Sequence, residues 1–176
     1  PAIAIDQTNP VRTSRSTVGT MTELNDHLKL LFARATELFD SATALPVRHD
    51  TAATIQADLL ARAAAAGEPR LVLSFPVELP QATSADEVAQ WLAASGFSRI
   101  HGERVEGGRK KLDVVADRLR AGTAEPARLA EAIALALSRG GGRLDVHVQH
   151  AGSDAGDGVR ESLWRYSTGL HCPESD

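Results

Sequence analysis

Apolar residues recur along this chain at two periods, and the switches between them outline the elements. Residues 2–5 (AIAI) are a short strand-like run, followed by fifteen mostly polar residues, DQTNPVRTSRSTVGT. Thr20 and Glu23 have the spacing of a capping box, in which a hydroxyl and a carboxylate satisfy free amides at a helix start. Met21, Leu24, Leu28 and Leu31 then recur every three or four residues and predict an amphipathic helix to about residue 35. LFDSATALPVRHD, with Pro46, reads as a boundary.

From Asp50 the pattern is denser. Asp50 is placed to cap a helix carrying Ile55, Leu59 and Ala63 and ending at Gly67. LVLSFPV is strand-like as far as Pro76. Ser84 and Glu87 form a second capping box ahead of Val88, Trp91 and Leu92, with a stop at Gly96. Two extended runs, 97–105 and 109–116, flank Glu106-Gly107-Gly108 and predict a hairpin. Pro126 opens a helix through Leu129, Ile133 and Leu137 that Gly140 to Gly142 stop. Residues 143–149 alternate, with Leu144, Val146 and Val148 on one face and Asp145, His147 and Gln149 on the other. Strand, helix, strand, strand, helix, strand is the order of a ferredoxin-like split βαβ unit, so the fold class is α/β of the α+β kind. AGSDAGDG is a flexible connector, and residues 163–170 read as a strand returning to whatever residues 2–5 belong to.

Composition narrows the function classes. The 176 residues carry a formal charge of −4, which argues against a surface devoted to nucleic acid. A single cysteine, Cys172, excludes an internal disulfide framework and fits a reducing, cytoplasmic setting. No stretch approaches the roughly 20 apolar residues of a membrane span. A start inside a strand-like run, with no initiator Met or signal-peptide pattern, suggests a piece of something longer. No GxxxxGK[ST] phosphate loop and no nucleophile elbow occur, so the chain alone is not expected to be an enzyme. Glycines 140–142 follow a helix and precede a strand, the wrong order for a phosphate loop.

The histidines predict no metal site. His147 and His150 should point to opposite strand faces, and His49 and His101 lack acidic or thiol neighbours at ligand spacing. All four are expected to be polar residues at the surface. Cys172-Pro-Glu-Ser175 lacks the second thiol of a zinc half-module.

Two clusters carry candidate function. Arg99, Arg104, Arg109, Lys110, Lys111, Arg118 and Arg120 make the hairpin region basic within an acidic chain. They either guard a sheet edge or dock an acidic protein partner through arginine–carboxylate pairs. Nucleic acid fits this patch less well, because no aromatic residues are interleaved for stacking. The opening loop, with Gln7, Arg12 and Arg15, is either a capped connector or a contact segment.

PAIAIDQ, RTSRSTVGTMTELNDHLKLLFARA and, more loosely, PRLVLSFPVEL, GFSRIHGE and LDVVADRLR resemble the first half of the UvrA family, the excinuclease ATPases of nucleotide excision repair, over nearly the whole chain. The resemblance implies residues 1–48 as part of an ABC ATPase and its signature subdomain, 49–150 as an inserted UvrB-binding domain, and 151–176 as a linker and returning strand. It implies ATP and magnesium in the parent protein, with Gln7 in the Q-loop, Arg12 and Arg15 on the DNA-facing side, and double-stranded DNA bound by a parent homodimer. It places Arg99 and Arg118 where the family meets acidic residues of UvrB, with Arg104, Lys110 and Lys111 in the same patch. The family's CPxH-type half-module after LLFARA is replaced by TELFDSATALPVRHD, and the next CPxC is CPES. The interval from Arg99 to Arg118 also looks shorter than in the family. Zinc is therefore not expected, and the departures point to a zinc-poor paralogous class linked to damage tolerance or drug export, with a paralogue that does not bind UvrB as the alternative form. A free-standing ferredoxin-like regulatory or ligand-binding domain is the alternative that element order alone permits.

Overall fold

A computed structural model describes residues 18–22, 24–150 and 160–175. Gln7, Arg12, Arg15, the strand expected at 2–5 and the Thr20–Glu23 capping box lie outside what is described. The chain divides into two compact units, Pro1–Leu38 and Phe39–Asp176.

The first unit contains α1 (Val18–Met21) and α2 (Leu24–Ala35). The single helix expected from Thr20 is thus two, and Thr22 Oγ1 donates to the Val18 carbonyl at 2.7 Å where α1 ends. Leu24, Leu28 and Leu31 do fall on α2, but none of the helix is buried.

The second unit follows the predicted element order. It comprises α3 (Ala52–Ala65), β1 (Arg70–Pro80), α4 (Ala85–Ala94), β2 (Ile100–Glu106), β3 (Arg109–Arg120), α5 (Pro126–Arg139), β4 (Arg143–Gln149) and β5 (Glu161–Ser167). The strands form one sheet in the order β2-β3-β1-β4-β5, with every described pairing antiparallel. Its first four strands have the ferredoxin-like arrangement, in which two split βαβ units interleave. β5 extends that sheet beside β4, with Tyr166 opposite Leu144 and Trp164 opposite Val146.

Local chemistry explains the boundaries. Thr51, not Asp50, caps α3: its Oγ1 accepts the Thr54 amide at 3.2 Å, and its own amide donates to Thr54 Oγ1 at 2.8 Å. Asp50 is engaged elsewhere, with His171 Nε2 at 2.9 Å and Arg48 Nε at 3.5 Å. The Ser84–Glu87 capping box forms as expected. β1 runs through Pro76 to Pro80 because β4 pairs only with residues 70–74, so the proline sits where β1 has one neighbour. Gly107 and Gly108 both take positive φ, 57° and 74°, as a two-residue hairpin turn requires.

The core lies between the sheet and α3, α4 and α5. Leu71, Leu73 and Phe75 of β1, Leu112 and Val114 of β3, and Leu144, Val146 and Val148 of β4 meet Ile55, Leu59, Val88, Leu92, Leu129 and Ile133. Alternation aims the intervening residues at the opposite face. Residues 39–50 join the chain's end through paired backbone bonds between Arg48 and His171, each 2.9 Å, while Cys172 Sγ lies 3.5 Å from Thr43 Oγ1.

The turn from α5 to β4 closes onto Phe75. A Cβ at Gly140 would overlap the Arg143 carbonyl oxygen and approach Phe75 Cβ to 2.8 Å. Gly140→Ala should lower stability by about 1–3 kcal/mol through overpacking, read as an earlier urea midpoint; an unchanged midpoint would show that this turn can open away from Phe75.

Candidate functional site

Most cations of the basic hairpin are committed within it. Arg104 meets the buried Asp113 carboxylate at 2.6 Å, and Arg109 reaches Glu78 at 3.2 Å. Lys110 pairs with Glu103 at 3.0 Å and donates to the Thr83 carbonyl at 2.9 Å, which leaves it largely covered. Lys111 pairs with Glu106 at 2.8 Å. Such pairs hold β2, β3 and the end of β1 together, in keeping with the edge-guarding reading.

Arg99 and Arg118 differ. Both are exposed, and neither side chain has a carboxylate partner among the described residues. Arg118 has an acidic neighbour, Asp117, but that carboxylate takes a two-pronged grip from Arg128, Nε and Nη2 each at 2.8 Å, and also accepts the Arg118 backbone amide at 2.7 Å. Those bonds from Arg128 hold the Asp117 carboxyl below its ordinary pKa. Arg99 is tied by its own carbonyl to the Val115 amide at 3.0 Å, three residues from Arg118 on β3.

The face away from the helices carries a buried polar layer that spacing along the chain does not show. Ser74, Asp113, Asp145 and His147 are each at most 9% exposed. The irregularity between Ile100 and Gly102 leaves His101 without a cross-strand partner, and its ring lies 3.8 Å from that of His147, centroid to centroid. His101 Nε2 is 3.0 Å from Glu161 Oε1. Burial, and then the facing His101, hold the His147 imidazole below its ordinary pKa, while burial and then Asp113 push the Asp145 carboxyl up. The expectation of surface histidines fails for His147, which is buried beside His101 and Ser74 on the side of β4 away from the helices. It also fails for His101, which finds its carboxylate sixty positions away, on β5. His150 bonds Ser162 Oγ at 3.0 Å, and only His49 of the four is exposed. Towards one end of this region a groove of about 570 Å³ is lined by Arg104, Lys111, Arg143 and Arg165 together with Glu78 and Asp145.

Arg118, Val72 and His147 are successive cross-strand partners, which puts Arg118 in the same row as the buried histidine. The two arginines and the polar layer thus belong to one side of the sheet.

Comparison with known proteins bears on the whole chain. UvrABC system protein A of Thermus thermophilus is 33% identical over 190 residues, covering 99% of this chain and 18% of that protein. The proteins of the same name from Deinococcus radiodurans and Escherichia coli are each 31% identical, covering 99% and 98% of the chain and 18% of their own length. The chain belongs to the UvrA family. It spans less than a fifth of the length of these relatives. No protein-family model matches it.

The Asp117–Arg128 grip leaves Arg118 facing outward, and it has a pH signature. A carboxyl lowered by folding contributes stability above its ordinary value of 3.8, and that contribution is lost as pH falls through the lowered value. Arg128→Ala should therefore lower the urea midpoint at pH 7 and converge with the parent at strongly acidic pH. An equal deficit at both ends would mean that Arg128 acts through packing alone.

Proposed function

We propose that this chain supplies the partner-docking part of a UvrA-type damage-recognition protein, and that Arg99 and Arg118 bind acidic residues of a UvrB-like protein. The observation that supports this is their contrast with Arg104, Lys110 and Lys111: those three are neutralised within the hairpin, and these two are not. An exposed arginine held beside a carboxylate that is already occupied keeps its five donors for a partner, where a bidentate pair fixes orientation as well as charge. Arg104, Lys110 and Lys111 then shape the surface.

In this reading ATP, magnesium and double-stranded DNA belong to the parent protein. Gln7 couples nucleotide state to the helix following it, Arg12 and Arg15 face DNA, and the chain alone turns nothing over. The relatives' name, UvrABC system protein A, supports a place in that excision system. Residues 49–150 as an insert, with residues 161–167 added to its sheet as β5, complete the proposed arrangement.

Charge reversal tests it. Arg99→Glu with Arg118→Glu should weaken binding to a UvrB domain at least tenfold in calorimetry, since repulsion replaces two bidentate pairs. Wild-type chain that ignores UvrB, or a double variant that binds as tightly, would overturn the reading.

A further inference from the structure

Three side chains at the centre of the polar layer are used neither by the docking reading nor by the family resemblance. His101 from the bulged start of β2, His147 from β4 and Glu161 from the start of β5 each bring a ligand atom within 4.8 Å of the others. They come from strands that β3 and β1 separate in the sheet. We infer that His101, His147 and Glu161 form a divalent transition-metal site, of zinc type, that clamps β2 to β4 and β5 across the open face of the sheet.

The hydrogen bonds around the trio prepare it for this. Ser74 Oγ lies 3.2 Å from the Asp145 carbonyl, which can only accept, so the single hydroxyl proton is directed there. That hydroxyl can then only accept from His147 Nε2, 3.1 Å away. Nε2 of His147 therefore carries the ring proton, and Nδ1 keeps the lone pair a metal needs. A ligating histidine whose second nitrogen is held by an outer hydrogen bond is the usual arrangement at metal centres. On the other side, the His101 Nε2 to Glu161 Oε1 contact joins two ligand types that a cation would bridge in place of a proton.

The chemistry of the donors selects the ion. Two imidazoles and one carboxylate suit zinc and its neighbours, whereas magnesium and calcium favour oxygen donors throughout. Tetrahedral zinc with bonds of about 2.0–2.1 Å sets its ligand atoms about 3.4 Å apart; His101 Nε2 and Glu161 Oε1, at 3.0 Å, are already that close, so only the longer separations, at most 4.8 Å, must close by about an ångström. Glu161, whose side chain is 38% exposed, has room to make that move. Three protein ligands leave a fourth position for water. Nearby, Asp113 Oδ1 is buried without a hydrogen-bond partner, an acceptor that a metal-bound water could serve. Because Arg99 lies two residues before His101, just ahead of β2, closing the clamp would also order the backbone that carries it. The site stands independently of UvrB docking.

Chelator-treated chain titrated with zinc chloride, in parallel with cobalt(II) followed by visible absorption, tests the site at pH 7.5. One equivalent should bind, with the d–d bands of a four-coordinate nitrogen and oxygen site. His101→Ala and Glu161→Gln should each weaken binding tenfold or more, and His49→Ala should not. Glu161→Gln alters a partly exposed side chain, so it keeps the test readable if His101→Ala fails to fold. Absence of saturable binding, or binding that survives both substitutions, would overturn the inference.

Discussion

The folded unit depends on β1 pairing on both edges at once. Residues 70–74 are bonded to β3 on one side and β4 on the other, and on the helix side Leu71, Leu73 and Phe75 are almost wholly removed from water. Each such side chain contributes on the order of 1.5–3 kcal/mol of transfer free energy. Because β1 crosses to β2 through α4 and β3, bonded beside β1, crosses to β4 through α5, placing β1 at the centre also places α4 and α5 on the same face. The turn at Gly140, closed onto Phe75, ties the second crossover to the same strand.

With all three helices on one side, Ser74, Asp113, Asp145 and His147 project to the side where no helix of this unit lies, yet they are buried among their neighbours. Buried polar groups are stable only when paired, and here most are: Arg104 on Asp113, Ser74 on the Asp145 carbonyl, and His147 on Ser74. Arg99 and Arg118, which have no carboxylate partner among the described residues, stand on this same side. A sheet that spends its apolar residues on the helix face has polar chemistry left for recognition on the other.

The helix and strand succession was legible in the sequence because its signals are local. Capping boxes, glycine stops and period-two alternation act over a few residues, and the Ser84–Glu87 box, the Gly107-Gly108 turn and the Leu144, Val146 and Val148 stripe all formed where expected. Thr51 displaced Asp50 as the α3 cap because Asp50 is claimed by His171, a residue 121 positions away. The polar layer was missed for a related reason. His101, His147 and Glu161 share no spacing rule, since the register of four strands and a bulge brings them together. Arg99 and Arg118 were singled out from charge and family resemblance, but the sequence did not distinguish them from Arg104 and Lys110; only the pairing of each cation does.

Mapping a UvrB domain onto the isotopically labelled chain by NMR chemical-shift perturbation tests directly where the partner docks. Shifts concentrated at Arg99, Arg118 and the β2–β3 residues on the open side of the sheet would support a docking surface there. Shifts concentrated on the outer surfaces of α3 and α5, with Arg99 and Arg118 unmoved, would contradict it.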